Sequence, residues 1–205
     1  NLVSYLVVNR VGSGTECDLC TSWELENAGK TMVFHLAKNA TFEDGSAVTA
    51  ADVRYTWMKL IGEIDGIISP RCGTLKEYID DSKDFIEAAD DYTFKVTIDA
   101  PNPISHIGMS QMTMMIPDSA EMKANHTSDD PWAEQFIRTK DLGIGAYRIE
   151  RSVPGVETVL VKNEGYCAPD YMQAKFDKIL VKIIPDLAQQ VQLLRSGDVD
   201  LAPEL

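Results

Sequence analysis

The chain has 205 residues, of which 44% are hydrophobic and 25% charged, a composition typical of a folded globular protein and not of a disordered one. Asp and Glu total 32 against 19 Lys and Arg, so the formal net charge is −13. An acidic chain without a basic run is not expected to bind nucleic acid or an anionic membrane surface, because proteins bind both through clustered basic side chains. No stretch approaches the ~18 apolar residues that a membrane-spanning helix needs.

The four cysteines allow either disulfides or a metal site. Cys17 and Cys20 have the Cys-x-x-Cys spacing, while Cys72 and Cys167 stand far from them and from each other. A zinc site would need a second close pair or two neighbouring histidines, and the three histidines are widely scattered, so we expect no metal. Disulfides are favoured if the chain is exported, and all three pairings of four cysteines stay open.

Two segments predict β-strands because large apolar side chains recur at every second position. Residues 31–36 and 92–98 each place their apolar positions on one face. These positions are Met32, Phe34 and Leu36 in the first segment and Tyr92, Phe94, Val96 and Ile98 in the second. In the second segment the intervening side chains, which are Thr93, Lys95 and Thr97, are expected to point outward.

A well-specified helix is predicted after the Asp-Gly turn at residues 44–45. Thr49 is its predicted N-cap, and Asp52 at the third position completes a variant of the capping box. Val48 and Val53 have the spacing of a hydrophobic staple. One helical face then carries Val53, Trp57, Leu60 and Ile61, with Arg54 and Lys59 off that face. Trp57 is therefore expected in the core and not as a platform for a ligand.

The middle of the chain predicts a short helix and a hairpin. The short helix is expected around residues 132–138. Residues 147–150 and 157–162 flank the Pro-Gly pair at 154–155, which is typical of a β-hairpin.

The end of the chain predicts a strand, a helix and a second strand. Residues 176–184 are rich in β-branched side chains, and Pro185-Asp186 opens a helix with Gly197 as its C-cap. Residues 198–202 are predicted as the next strand, so a right-handed crossover is expected. Such a unit cannot bury both its faces without more sheet, and the natural protein is therefore expected to continue beyond Leu205.

Two segments carry candidate binding residues. Residues 109–116 form an apolar run rich in methionine, which favours core packing over an adaptable wall of a binding cleft. Gly143 and Gly145 allow the backbone a positive φ or a close approach to another surface. They are not a dinucleotide fingerprint, because the third glycine of that motif is absent.

Several stretches, taken together in order and spacing, resemble the family 5 extracellular solute-binding proteins, which include the dipeptide-, oligopeptide- and nickel-binding proteins of ABC importers. The block at residues 40–57 is the most specific part of the resemblance. The matching stretches are Trp23-Glu24, residues 31–36, residues 40–53 with Trp57, residues 143–147, residues 163–166, residues 183–186 and residues 196–201.

The resemblance implies an α/β, periplasmic-binding-protein-like fold (type II, cluster C), with mixed sheets, flanking helices and two hinged lobes that close on a solute. Residues 1–140 would form a peripheral subdomain of the first lobe and residues 141–205 the start of the main first lobe, with the second lobe absent from this chain. The implied protein is a monomeric carrier without cofactors, periplasmic or anchored at the cell surface as a lipoprotein. It would capture a peptide and deliver it to an ABC permease.

In the family, the segment that matches residues 109–116 runs toward the cleft. The ligand-binding residues expected here are Gln111, Met112, Thr113, Met114, Gly143 and Gly145. Nickel-type relatives carry arginine in that stretch, so the neutral residues here favour a peptide over an anionic metal chelate. A sugar or chelate, or a scaffold that reuses the fold without transport, stays as the alternative. The sequence departs from the family pattern at Ile144, Ala146 and Cys167.

An enzyme is the rival class, and the sequence gives it little support. No Gly-x-Ser-x-Gly elbow occurs, and none of the histidines lies in a catalytic motif. The acidic pairs at 80–81 and 129–130 are typical of solvent-exposed turns. Adjacent side chains project in different directions, so neither pair predicts two carboxylates that act on one substrate. No catalytic residue is therefore expected.

Overall fold

The computed structural model describes residues 4–10, 14–62, 65–67, 69, 86–98, 115–138, 140–167, 170 and 172–202. The strands in this part of the chain are β1 (Val7–Arg10), β2 (Gly14–Cys17), β3 (Cys20–Glu26), β4 (Thr31–Leu36), β5 (Ile86–Asp90), β6 (Thr93–Thr97), β7 (Tyr147–Val153), β8 (Glu157–Lys162) and β9 (Lys178–Lys182). The helices are α1 (Ala50–Ile61), α2 (Ser119–Ala124), α3 (Glu134–Ile137) and α4 (Leu187–Ser196). None of the helices in these ranges is long and apolar enough to cross a membrane.

The described strands form three antiparallel sheets, ordered β1-β2, β3-β4-β6-β5 and β7-β8-β9. The strand predicted at residues 31–36 is confirmed as β4, and the one predicted at 92–98 is confirmed as the slightly shorter β6. The two strands lie side by side with Phe34 opposite Phe94, so the alternating apolar positions of both face the same core.

The main core lies between the β3-β4-β6-β5 sheet and α1. Trp57 is 2% exposed, and its ring lies 5.5 Å from that of Phe94, which in turn lies 6.3 Å from Phe34. The prediction that Trp57 belongs to the core is confirmed. The opposite face of the sheet carries polar side chains such as Lys95, which lies 3.5 Å from Glu26, together with the buried Val33.

The predicted start of α1 is confirmed, and it also connects two helices. The Asp52 carboxylate accepts hydrogen bonds from the backbone N–H and the hydroxyl of Thr49, at 2.9 and 3.0 Å. Its second oxygen accepts from the N–H of Ser119 at the start of α2, at 3.1 Å. Asp52 is buried, so it both caps α1 and positions α2.

Replacing Asp52 by alanine is expected to lower the free energy of unfolding by about 2–4 kcal/mol, because the cap is lost and a buried donor loses its acceptor. Urea unfolding followed by circular dichroism measures this loss. Asp52→Asn is the matched control, since it retains one acceptor oxygen and should lose less. Equal losses in both variants would contradict this account.

The predicted hairpin and short helix are confirmed. Strands β7 and β8 pair across the turn that contains Gly155, whose φ is 75°, and α3 lies within the segment predicted as the short helix. The tight turn before α1 is also present, with the N–H of Gly45 donating to the carbonyl of Phe42 at 3.1 Å.

The final segment matches the prediction only in part. Strand β9 and helix α4 form, with Asp186 as the N-cap and Gly197 as a left-handed C-cap. The strand predicted at residues 198–202 is wrong, and the crossover therefore does not form. A strand requires a hydrogen-bonded neighbour, and none of the described strands lies beside these residues.

Strand β9 and helix α4 leave large apolar side chains exposed. Leu187 and Leu194, both in α4, are 57% and 40% exposed. The other strongly exposed apolar residues of this part are Phe176, Leu180, Val181, Ile183 and Leu201. These side chains stay exposed because no described element packs extensively against α4.

Candidate functional site

Three loops that carry the family resemblance meet at one cavity of about 230 Å³ that opens to solvent. The first is the turn after β4, the second precedes β7 and the third follows β8. The residues that line the cavity are Thr41, Phe42, Glu43, Gly45, Asp141, Gly143, Arg148, Asn163, Glu164 and Gly165. Distant stretches of sequence thus build one polar recess.

The loop before β7 is held by Asp141. One oxygen of its carboxylate accepts from the N–H of Gly143 at 3.3 Å, and the other accepts from the N–H of Ile149 at 2.7 Å. These bonds tie both ends of the glycine-containing segment to one side chain. Asp141 therefore shapes the cavity wall.

The loop after β8 is joined to the same segment by Asn163. Its amide nitrogen donates to the carbonyl of Gly145 at 2.9 Å, and its amide oxygen accepts from the N–H of Gly165 at 3.1 Å. At Gly165, a Cβ atom would lie 3.3 Å from the Thr41 hydroxyl oxygen, which is tighter than an ordinary contact. The absence of a side chain at residue 165 thus lets the third loop approach the first.

The charged side chains around the cavity, apart from Asp141, are exposed to solvent, so a polar solute could reach them. Arg148 is exposed, and the described residues place no carboxylate within 4.0 Å of its guanidinium group. Glu43 is exposed as well, and Glu164 lies 3.3 Å from the Lys162 ammonium group at the surface. The recess can therefore contact a small polar group through hydrogen bonds and charges of both signs.

The predicted site residues fall into two groups. Gly143 lines the cavity, and Gly145 is buried beside it with its carbonyl bonded to Asn163. Neither glycine has a positive φ, so the first of the two alternatives for these positions does not hold, and a close approach to another surface stays a prediction. The remaining residues, Gln111, Met112, Thr113 and Met114, lie outside the described residues, and their role stays a prediction.

The end of the methionine-rich run is described and belongs to the core. Ile116 is 1% exposed, and its N–H donates to the carbonyl of Ser4 at 3.1 Å. The carbonyl of Met115 accepts from the buried hydroxyl of Thr56 at 3.0 Å. These bonds fasten the exit of the run to α1 and to the N-terminal segment.

Sequence reasoning did not single out Asp141, Arg148 or Asn163. Asn163 lies inside one of the matching stretches, so the resemblance could have indicated it. Asp141 could have been found from its place two residues before a glycine, where a short acidic side chain commonly binds the backbone ahead of it. Arg148 gives no local signal, because its position in a strand is compatible with any exposed charge.

The family model of the bacterial extracellular solute-binding proteins, family 5 middle, matches residues 15–205. The chain belongs to this family. A curated member is the probable D,D-dipeptide-binding periplasmic protein DdpA of Escherichia coli (strain K12), which is 30% identical over 207 residues. The alignment covers 100% of this chain and 37% of DdpA, so the chain spans little more than a third of that relative's length.

Solved structures of periplasmic binding proteins share the fold. The binding protein DppA of Helicobacter pylori, in complex with the peptide STSA, aligns with a TM-score of 0.77 at 23% identity, over 97% of this chain and 40% of that one. The protein AgaA of A. tumefaciens R10, in complex with agropinic acid, aligns at 0.72 and 25% identity, over 96% and 36%. The predicted α/β, periplasmic-binding-protein-like fold class is confirmed.

Within this family 5 chain, the cysteine pairing that the sequence left open is partly decided. Cys17 and Cys20 form a disulfide with a Cα–Cα distance of 5.0 Å. Cys167 is a half-buried free thiol, and Cys72 lies outside the described residues. Among the residues that the structure describes, no cluster of three His, Cys, Asp or Glu side chains could hold a metal ion.

The disulfide encloses a buried carboxylate, that of Asp18. This residue is 1% exposed, and its two oxygens accept from the N–H of Tyr5 and from the hydroxyl of Tyr166, each at 2.8 Å. Nearby, the Ser4 hydroxyl donates to the carbonyl of Ile144 at 3.1 Å. Burial raises the pKa of Asp18 above its ordinary value, and its hydrogen bonds offset part of that rise.

The raised pKa of Asp18 predicts a pH dependence with a definite sign. A carboxyl group that binds its proton more tightly in the folded state stabilises the fold below its unfolded pKa, here 3.8, and that contribution is lost as the pH rises through the folded pKa. The stability of the wild type relative to Asp18→Asn should therefore fall as the pH rises above 3.8. Paired urea titrations at several pH values measure the difference, and a rise with pH would contradict the prediction.

Proposed function

We propose that this chain is part of the extracytoplasmic solute-binding component of an ABC importer, which captures peptides and delivers them to the permease. The observation that carries the proposal is the family match over residues 15–205, together with the similarity to DdpA, a probable D,D-dipeptide-binding periplasmic protein.

Within that protein, residues 1–140 are assigned to a peripheral subdomain of the first lobe and residues 141–205 to the start of its main part. The four-stranded and three-stranded sheets lie on opposite sides of this boundary in the sequence, which supports the division. The protein is placed in the periplasm or at the cell surface, as a monomer. Gln111, Met112, Thr113 and Met114 are proposed to line the solute cleft.

The proposed role is binding without catalysis. Solute capture requires a shaped recess and polar groups that hold the ends of the ligand, and the cavity lined by Arg148 and Glu43 offers groups of that kind. A fluorophosphonate probe should accordingly leave the folded protein unlabelled. Covalent labelling of a serine would argue for a hydrolase.

A second solute class has a specific observation in its favour. The similar fold of AgaA binds agropinic acid, which is not a peptide, so the fold alone does not select peptides. A non-peptide solute such as a sugar derivative or a metal chelate is therefore the alternative within the same function.

The test is native mass spectrometry of the full-length gene product after exposure to a mixed pool of di-, tri- and oligopeptides. Retained masses that match peptides would support the proposal and give the preferred length. A folded protein that retains no peptide but retains members of a parallel pool of sugars and metal chelates would favour the alternative. Residues 1–205 alone should bind no peptide with sub-micromolar affinity, since a site with one wall buries too little of a ligand.

A further inference from the structure

The turn between Cys17 and Cys20 is one of the places where the N-terminal segment is joined to later parts of the chain, beside the bonds of Ser4 to Ile144 and Ile116. The N–H of Leu19 donates to the carbonyl of Tyr5 at 2.9 Å, and the carbonyl of Leu19 accepts from the N–H of Ala37 at 2.9 Å. The Asp18 carboxylate adds the bond from Tyr166, which lies 148 positions further along the sequence. The turn therefore connects the start of the chain, the end of β4 and the loop after β8.

A buried carboxylate is costly unless its donors are held in place, and here they come from two distant segments. The disulfide closes a loop with a sequence separation of only 3, so it restrains the unfolded chain much less than a long-range disulfide would. Any restraint it adds therefore acts locally, on a turn in which Asp18 and Leu19 are 1% and 0% exposed.

We propose that the Cys17–Cys20 disulfide is a redox-controlled latch, which when oxidised holds Asp18 against Tyr5 and Tyr166 and when reduced releases the N-terminal segment from the loop after β8. The inference stands on the contacts of this turn and does not depend on the proposed function. Cys17 is half-buried while Cys20 is 5% exposed, so Cys17 is the sulfur that a reductant reaches.

The opening step requires a dithiol reductant. One thiolate of the reductant attacks the Cys17 sulfur, the bond to Cys20 breaks, and Cys20 leaves as a thiolate that takes up a proton. The second thiol of the reductant then displaces Cys17 and forms the disulfide of the reductant, so two electrons pass to the protein and both cysteines end as thiols. Burial and the nearby Asp18 charge raise the pKa of Cys167, which keeps it protonated and unreactive toward the disulfide.

Hydrogen exchange with mass spectrometry, on the oxidised full-length protein and after dithiothreitol, tests the latch. We expect exchange of the Tyr5 and Leu19 amides to speed up by roughly tenfold or more on reduction, while β4, β6 and β8 keep their protection. The double variant Cys17→Ser/Cys20→Ser should behave as the reduced protein without any reductant. Cys167→Ser is the matched control, and it should respond to dithiothreitol as the wild type does.

Three results would overturn the proposal. Unchanged exchange at Tyr5 and Leu19 after reduction would mean that the turn holds without its disulfide. Uniform loss of protection across all the sheets would make the disulfide a general structural cross-link and not a latch. A Cys17–Cys20 bond that dithiothreitol leaves intact in the folded protein, measured by mass after alkylation, would exclude redox control.

Discussion

Replacing Lys59 by methionine is expected to lower the free energy of unfolding by about 3–5 kcal/mol, because it leaves a buried carboxylate without its cation. The Lys59 ammonium group lies 3.0 Å from the Glu134 carboxylate, and both residues are buried, at 6% and 8% exposure. The Ser69 hydroxyl donates to the same carboxylate. Urea unfolding at neutral pH gives the loss directly.

The control for this ion pair removes both charges together. Lys59→Met combined with Glu134→Leu should recover most of the lost stability, since a buried pair replaced by apolar side chains of similar size is commonly neutral or stabilising. Glu134→Leu alone should be destabilising, because it removes the carboxylate that pairs with the buried Lys59 ammonium group. A double variant as unstable as Lys59→Met would show that packing around Tyr55 and Trp132, whose rings lie 5.5 Å apart, governs the loss.

Replacing Phe94 by alanine is expected to cost about 3–5 kcal/mol, the range for deleting a fully buried aromatic side chain. Phe94 is 0% exposed and lies between the rings of Phe34 and Trp57, so neither the sheet nor α1 can collapse easily into the space left behind. Chemical unfolding with an unchanged dependence on denaturant would show that stability is lost without a change in the fold.

The matched control for Phe94 lies on the same strand with its side chain on the opposite face. Lys95→Ala removes a surface contact to Glu26 at 3.5 Å, and its cost should stay below about 1 kcal/mol. Comparable losses in the two variants would contradict the assignment of the core to the Phe94 face of the sheet.

Elements whose signals are local followed from the sequence alone. Strand β4 has the predicted bounds, and α1 begins at the predicted cap because Thr49 and Asp52 lie within one turn of each other. The hairpin of β7 and β8 follows from two alternating segments around a Pro-Gly pair. For α1 and the hairpin, the residues that specify the element also form its contacts, so no distant partner is needed. Strand β4 also pairs with β6, which lies far along the chain.

The candidate site could be anticipated only in outline. The resemblance identified the three loops, and Gly143 does line the cavity in which they meet. The bonds that hold the loops together come from Asp141 and Asn163, whose partners are backbone groups that no side-chain pattern reports.

What the sequence by itself determined is the order of most elements and the faces of the central strands, because periodicity, caps and turns act over a few residues. The family followed from the resemblance of several stretches in order and spacing. Only the tertiary structure decided that Lys59, off the apolar face of α1, is buried against Glu134. The tertiary structure alone also decided that Cys17 pairs with Cys20, that Asp18 accepts a hydrogen bond from Tyr166 and that residues 198–202 form no strand. Each of these depends on which groups the folded chain brings together, and a buried charge or an unpaired strand is stable or not according to the partner it finds there.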